Sequence, residues 1–283
     1  MKTTALNVDG QSASREAAVE KMPGHWLLAK MGKRVLRPGG LELTRQLLRE
    51  LAIGEHDDVV EFAPGLGVTA QMTLGRRPRS YTAIERDRDA ADAVNRFLSG
   101  SNQRCIIGSA EQTHLPDACA TVVYGEAMLS MQLSGVKSRI VAEAARLLKE
   151  DRRYGIHELC LVPDDLDSTT RDAIQRGMSD EIHVGVRPLT RGEWCALLES
   201  AGLSIVRETT APMHLLEPMR LVRDEGVFGA ARFLWNIARH KPARRRVLSM
   251  RRVFRKYRNH LAAGVFVASK NQPHLPSGRE FHG

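Results

Sequence analysis

Asp58-Val-Val-Glu-Phe-Ala-Pro-Gly-Leu-Gly-Val-Thr-Ala70 begins with a short apolar run, Val59-Val60, that reaches an acid at Glu61. A turn with glycines at 65 and 67 follows, and then a stretch of helical character. This order predicts a buried strand, a tight turn and the start of a helix. Gly65 and Gly67 suit a backbone that must bend sharply and let a ligand come close. A carboxylate near the strand's end suits hydroxyls or an ammonium better than a phosphate.

Downstream the same alternation continues. A helix is expected over 68–75, a strand over 80–85, a helix over 88–98 and a short strand over 105–108. A strand over 120–124, a helix over 136–149 and a strand over 153–159 come next. A helix over 191–201 and strands over 204–209 and 264–268 complete the series. Strand and helix in turn argue for a parallel sheet covered on both faces. Glu85 closes the second strand at roughly the 20-residue interval where doubly wound folds place a ribose-binding acid. A carboxylate can accept hydrogen bonds from both ribose hydroxyls. Upstream, Trp26, Leu27, Met31 and Val35 follow helical spacing over 24–36, until Arg37-Pro38-Gly39-Gly40 breaks it. A second helix over 41–51 carries Leu43, Leu47, Leu48 and Leu51 on one face.

The pattern Glu61-x-Ala63-x-Gly65-x-Gly67 resembles motif I of the class I S-adenosylmethionine-dependent methyltransferases, with Ala63 in place of the usual first glycine. Gly108-Ser-Ala-Glu111, Leu115-Pro116-Asp117 and the apolar 120–124 run resemble the same family's third and fourth strand region. Ser109 stands where an adenine-binding aspartate is common, and Thr121 replaces a strand-opening acid. The resemblance covers most of residues 40–215 and the last strand. It implies an α/β fold: a doubly wound, mostly parallel seven-stranded Rossmann-like sheet with helices on both faces and helical insertions as a cap. It also implies a cofactor, S-adenosylmethionine, leaving as S-adenosylhomocysteine. Glu61, Ala63, Pro64, Gly65, Gly67, Glu85, Arg86, Ser109, Ala110, Glu111 and Gly125 are then expected around it, and the first helix over its pocket.

Methyl transfer from a sulfonium is an in-line displacement that needs alignment, exclusion of water and sometimes removal of a proton, but no metal. Candidates for a base are Glu126, His157, His114 and His183. His157 ends the fifth strand at the ligand-binding edge of the sheet, and histidine titrates near neutral pH. His157 and Glu126 are the expected catalytic pair. The sequence after the fourth strand, Tyr124-Gly-Glu-Ala127, lacks the Asn/Asp-Pro-Pro-aromatic signature of DNA amino-methyltransferases, so a small, partly apolar organic acceptor is expected. Two other classes stay open. One is a non-catalytic S-adenosylmethionine-binding regulatory module. The other is an NAD-dependent oxidoreductase, whose pyrophosphate would meet Glu61.

The 283 residues suit one elaborated domain. The division expected is a mobile arm over 1–22 and a methyltransferase domain over 23–283 with insertions near 161–190 and 217–260. The first insertion is expected to build the acceptor pocket. Four widely spaced cysteines suggest neither a disulfide framework nor a zinc site. No apolar run approaches a membrane span or a signal peptide core, so the cytoplasm is expected. The formal charge of +9 is uneven: residues 241–258 carry nine basic residues and no acid. Val247, Met250, Phe254, Tyr257 and Leu261 recur there at helical steps. This segment is the expected contact with an anionic membrane, if one is made. Nucleic acid is not expected, because no stacking aromatics interleave with the charges. A homodimer stays open.

Overall fold

The computed structural model describes residues 19–271. Helices α1 (Gly24–Lys30) and α2 (Gly40–Leu51) precede the sheet. Then follow β1 (Asp58–Phe62), α3 (Val68–Leu74), β2 (Ser80–Glu85), α4 (Arg88–Asn95), β3 (Gln103–Ile107) and β4 (Ala120–Glu126). The second half holds α5 (Ser134–Leu147), β5 (Leu148–Leu161), α6 (Ser168–Ile182), β6 (Leu189–Thr190), α7 (Arg191–Glu199) and β7 (Leu203–Pro212). Helices α8 (Pro218–Arg239) and α9 (Lys241–Lys256) lead into the last strand, β8 (Leu261–Lys270).

The strands lie in the order β3-β2-β1-β4-β5-β8-β7, with two-residue β6 paired to the end of β5. Strands β1 to β5 pair in parallel with one another, and β8 runs antiparallel between β5 and β7. This is the doubly wound, mostly parallel sheet expected from the sequence. Strand order reverses between β1 and β4, which opens a crevice at their carboxyl ends.

The core forms because each element presents one continuous apolar face. Leu43, Leu47, Leu48 and Leu51 of α2 are buried against Val265 and Val267 of β8. Each such leucine contributes roughly 1.5–3 kcal/mol relative to exposure. On the opposite face Ile140, Val141, Ala144 and Leu147 of α5 pack with Val60, Val123 and Ile156. A third cluster joins α1, α6, α8 and α9 through Leu27, Met178, Phe233, Val247, Met250 and Phe254.

Several boundaries differ from the sequence reading. α1 stops at Lys30, and Gly32 just beyond it has φ +101°. β8 is longer than expected, and β5 runs on to Leu161, because the two pair over Arg153–Leu161 and 261–269; β5 also starts earlier, at Leu148, across an irregularity in its pairing with β4. Leu261 belongs to β8 and not to the preceding helix. Of the expected N-terminal arm, residues 1–18 lie outside the described residues. Val19 is buried in the third cluster, and Arg246 donates to the carbonyls of Val19 at 2.8 Å and Met22 at 2.5 Å. Among the described residues no helix is long and apolar enough to cross a membrane.

Candidate active site

The turn after β1 is built from left-handed residues. Ala63, Gly65 and Gly67 have φ of 51°, 55° and 72°, a region in which glycine carries no steric cost. The two glycines serve different ends. A Cβ on Gly67 would lie 2.5 Å from the Phe97 ring, whereas one on Gly65 would meet nothing within 4 Å. Gly67 therefore closes the helix against α4, and Gly65 faces open space. Glu85 fixes this turn. Its Oε2 accepts the Gly65 amide at 3.0 Å, and its Oε1 accepts the amides of Arg86 and Asp87 at 2.8 and 2.9 Å. Asp87 in turn caps α4 by accepting the Ala90 amide at 2.9 Å.

Glu61 projects from β1 under the same crevice. The hydroxyls of Tyr81 and Tyr124 donate to its Oε2 at 2.5 and 2.6 Å. No hydrogen bond engages its Oε1 among the described residues. Burial pushes its carboxyl up to about 7, against the pull of the Tyr124 and Tyr81 hydroxyls. A nearby ammonium would restore the ionised form.

A cavity of about 520 Å³ opens above these residues, within the size range of small-molecule sites. Glu61, Ala63, Pro64, Gly65, Glu85 and Arg86 line one side, and Ser109, Ala110 and Glu111 another. Ser109 Oγ accepts the Glu111 amide at 3.2 Å, which folds the loop after β3 toward the cavity. Gly67, Gly125 and His157 do not line it. Gly67 is turned to Phe97, and Gly125 sits in β4 beside Phe62.

His157 is fully buried in β5. Its Nδ1 lies 2.8 Å from Glu126 Oε1 and its Nε2 2.6 Å from the Pro38 carbonyl, so both ring nitrogens are engaged within the protein. Glu126 does line the cavity, but it is heavily occupied. It accepts from Thr44 at 2.7 Å and also from Thr69 and the Arg37 guanidinium. Burial opposes its charge, but Arg37, His157 and Thr69 outweigh that and hold it down at about 2. The group is an anionic hub that ties the 37–44 segment to α3 and β5. His114 and His183 lie away from the cavity lining.

The roof comes from the first helix, where the family resemblance put it, and from the segment after it, which sequence reasoning did not assign to it. Pro23 just before α1, His25 and Trp26 within it, and Arg34, Leu36 and Arg37 after it cover the cavity. His25 Nδ1 is buried with no hydrogen-bond partner, and burial lowers the ring's basicity despite nearby Asp87. The inner wall is Met128, Met131, Gln132 and Ile140. Of the 161–190 insertion only Val184 reaches the cavity. Met178 is core, Asp167 caps α6 by accepting the Thr170 amide, and the Arg187 amide donates to the Ser130 carbonyl at 2.7 Å.

No family model matches the chain. An uncharacterised protein of Haemophilus influenzae is 30% identical over 217 residues, covering 75% of this chain and 84% of that protein. Among solved structures, one from Galdieria sulphuraria assigned as a sarcosine dimethylglycine methyltransferase superposes with a TM-score of 0.66 at 16% identity. It covers 82% of this chain and 86% of its own. A Haemonchus contortus phosphoethanolamine N-methyltransferase, solved with phosphomonomethylethanolamine and S-adenosylhomocysteine, gives 0.65 at 10% identity. That match covers 91% of this chain and 58% of the Haemonchus chain.

Proposed function

The chain belongs to one family with the Haemophilus influenzae protein and shares its fold with solved methyltransferases, and from that premise we propose that it is a class I S-adenosylmethionine-dependent methyltransferase that methylates a small, partly apolar organic acceptor. One observation carries the reading. The cavity over the β1/β4 switch point is floored by an open glycine, Gly65, flanked by two carboxylates, Glu61 and Glu85. S-adenosylmethionine, when bound, supplies an electrophilic methyl carbon. Glu61, through its unengaged Oε1, suits the amino-acid ammonium. Beyond its three backbone bonds Glu85 keeps one lone pair, on Oε2, for a ribose hydroxyl. Ser109, Ala110 and Glu111 suit the adenine edge. The paired acids work against the pyrophosphate of a dinucleotide, which favours the adenosyl ligand over NAD.

Met128, Met131, Trp26 and Leu36 give the remaining wall an apolar character suited to an organic acceptor. Glu126 and His157 act here as a positioning pair. Held ionised and fully hydrogen-bonded, Glu126 keeps Arg37 over the cavity and has no lone pair left to take a proton at neutral pH. His25 lines the roof, but its Nδ1 is buried and burial weakens the ring as a base, so no proton acceptor is assigned.

The test is incubation with methyl-tritiated S-adenosylmethionine and a cell extract separated into small-molecule and macromolecular fractions. Label entering the small-molecule fraction supports the proposal. Label entering protein or nucleic acid instead contradicts the acceptor class. Bound cofactor with no transfer to either fraction favours the non-catalytic module.

A further inference from the structure

Six of the ten exposed large apolar side chains among the described residues belong to one helix, α8. The helix is interrupted at Gly226, which adopts φ 73° and ψ 168°. Beyond this break Ala230, Phe233 and Ile237 are buried in the cap cluster. The outward side carries Val227, Phe228, Leu234 and Trp235 at helical spacing, and Phe228 is 92% and Trp235 61% exposed. A helix apolar on both sides is half unexplained by its packing.

The surroundings of that outer face are cationic. From residue 226 to 258 the sequence holds eleven basic residues and no acid. Arg232 and Arg239 flank the apolar residues on α8, and the Arg239 guanidinium lies 4.9 Å from the centre of the Trp235 ring. Lys241, Arg244 and Arg252 continue the charge onto the exposed side of α9. None of these five cations forms an ion pair with an acid among the described residues. α9 itself contributes charge but little apolar surface, since its Val247, Met250 and Phe254 are buried.

We propose that the outer face of α8, with the adjoining arginines of α9, docks on an anionic phospholipid bilayer. Phe228, Trp235, Val227 and Leu234 enter the interfacial region, while Arg232 and Arg239 reach to lipid phosphates. Charge decides against a second copy as the occupant. A two-fold contact through this face would set the same cations against each other. The face also lies beside the cavity roof, where Asn236 Nδ2 donates to the Met31 carbonyl at 3.0 Å just past α1. Docking would bring a lipid-dissolved acceptor close to the cavity, but the binding itself does not depend on the methyltransferase reading.

The experiment is flotation of the full chain with vesicles of phosphatidylcholine alone or mixed equally with phosphatidylglycerol, over a range of salt. No methyl donor is needed, so this test and that of the enzymatic reading fail separately. The expected result is binding to the anionic vesicles only, weakening as salt rises. The Phe228→Glu/Trp235→Glu variant is expected to lose about tenfold or more in partition, with an unchanged thermal melt. Arg232→Ala/Arg239→Ala is expected to weaken binding and flatten its salt dependence. The proposal is overturned if anionic vesicles are not bound, if neutral vesicles are bound equally, or if the two-glutamate variant binds as well as the parent. A dimer in sedimentation velocity that this variant abolishes would assign the face to a second copy instead.

Discussion

Glu61 is held between opposing influences: burial and the neighbouring charge of Glu126 favour its neutral form, while Tyr81, Tyr124 and Arg37 favour the ion. Its folded-state value of about 7 stands above the ordinary 4.5. The stability it contributes is therefore fully present below 4.5 and is lost as pH rises through about 7. The difference amounts to about 3 kcal/mol, at 1.36 kcal/mol per unit. Glu61→Gln should flatten this dependence. Urea unfolding of both proteins across that window should show the variant gaining on the parent as pH rises, and parallel profiles would contradict the assignment. Glu61 and Glu85 were legible in the sequence because a strand, a glycine turn and a fixed interval locate them. Arg37 and His25 were not. A basic residue before Pro38-Gly39-Gly40 reads as part of a helix stop, and only the fold brings it to Glu126. His157 could be placed at the right end of β5, but the direction of its ring depends on a partner 31 positions away.

The unit β1–turn–α3 concentrates the site's backbone demands in two glycines with different surroundings. Gly67→Ala would combine an unfavourable φ with a close approach to Phe97, at a cost of roughly 2–4 kcal/mol. Gly65→Ala carries the backbone term alone, about 1–2 kcal/mol, but its methyl would project into the cavity. Gly67→Ala should therefore show the larger drop in urea midpoint. Gly65→Ala should show the larger loss in S-adenosylhomocysteine affinity per unit of stability lost. The opposite ranking would mean that the roles of the glycines have been exchanged. At this scale the sequence was informative where strands are short and apolar, and β1 and β2 match their expected ranges. It was less so for β5, expected over 153–159 but running from Leu148 to Leu161, its charged first residues following directly on α5. Residues 149–152 fall at an irregularity in the pairing with β4, which resumes at Arg153. The break at Gly226 in α8 has no sequence signature beyond a glycine, and its outcome depends on Asp224 and Glu225 being drawn inward.

Across the whole molecule, those two acids fasten the cap to the site. Glu225 accepts the amides of Arg34 and Val35 at 2.8 and 2.9 Å, Asp224 accepts that of Leu41 at 3.0 Å, and buried Lys33 lies between them. Burial lowers the basicity of Lys33 in spite of both carboxylates. α8 thus sets the 33–41 segment, which carries Arg37 and Leu36 to the cavity roof. The sheet's class followed from strand and helix in alternation, and its length from the family resemblance. The first helix over the pocket followed from that resemblance too, but its fastening by Asp224 and Glu225 did not, because those acids lie 183 to 191 positions away and meet the 33–41 segment only through packing. The central claim is that this cavity takes an adenosyl amino acid with its ammonium at Glu61. Calorimetric titration with S-adenosylhomocysteine, 5′-methylthioadenosine and NAD, one pH unit below and one above Glu61's value of about 7, tests it most directly. The account predicts that S-adenosylhomocysteine binds, and binds more tightly at the higher pH, while methylthioadenosine, which lacks the ammonium, binds more weakly and without that gain. Tighter binding of NAD, or an S-adenosylhomocysteine affinity indifferent to pH and to Glu61→Gln, would contradict it.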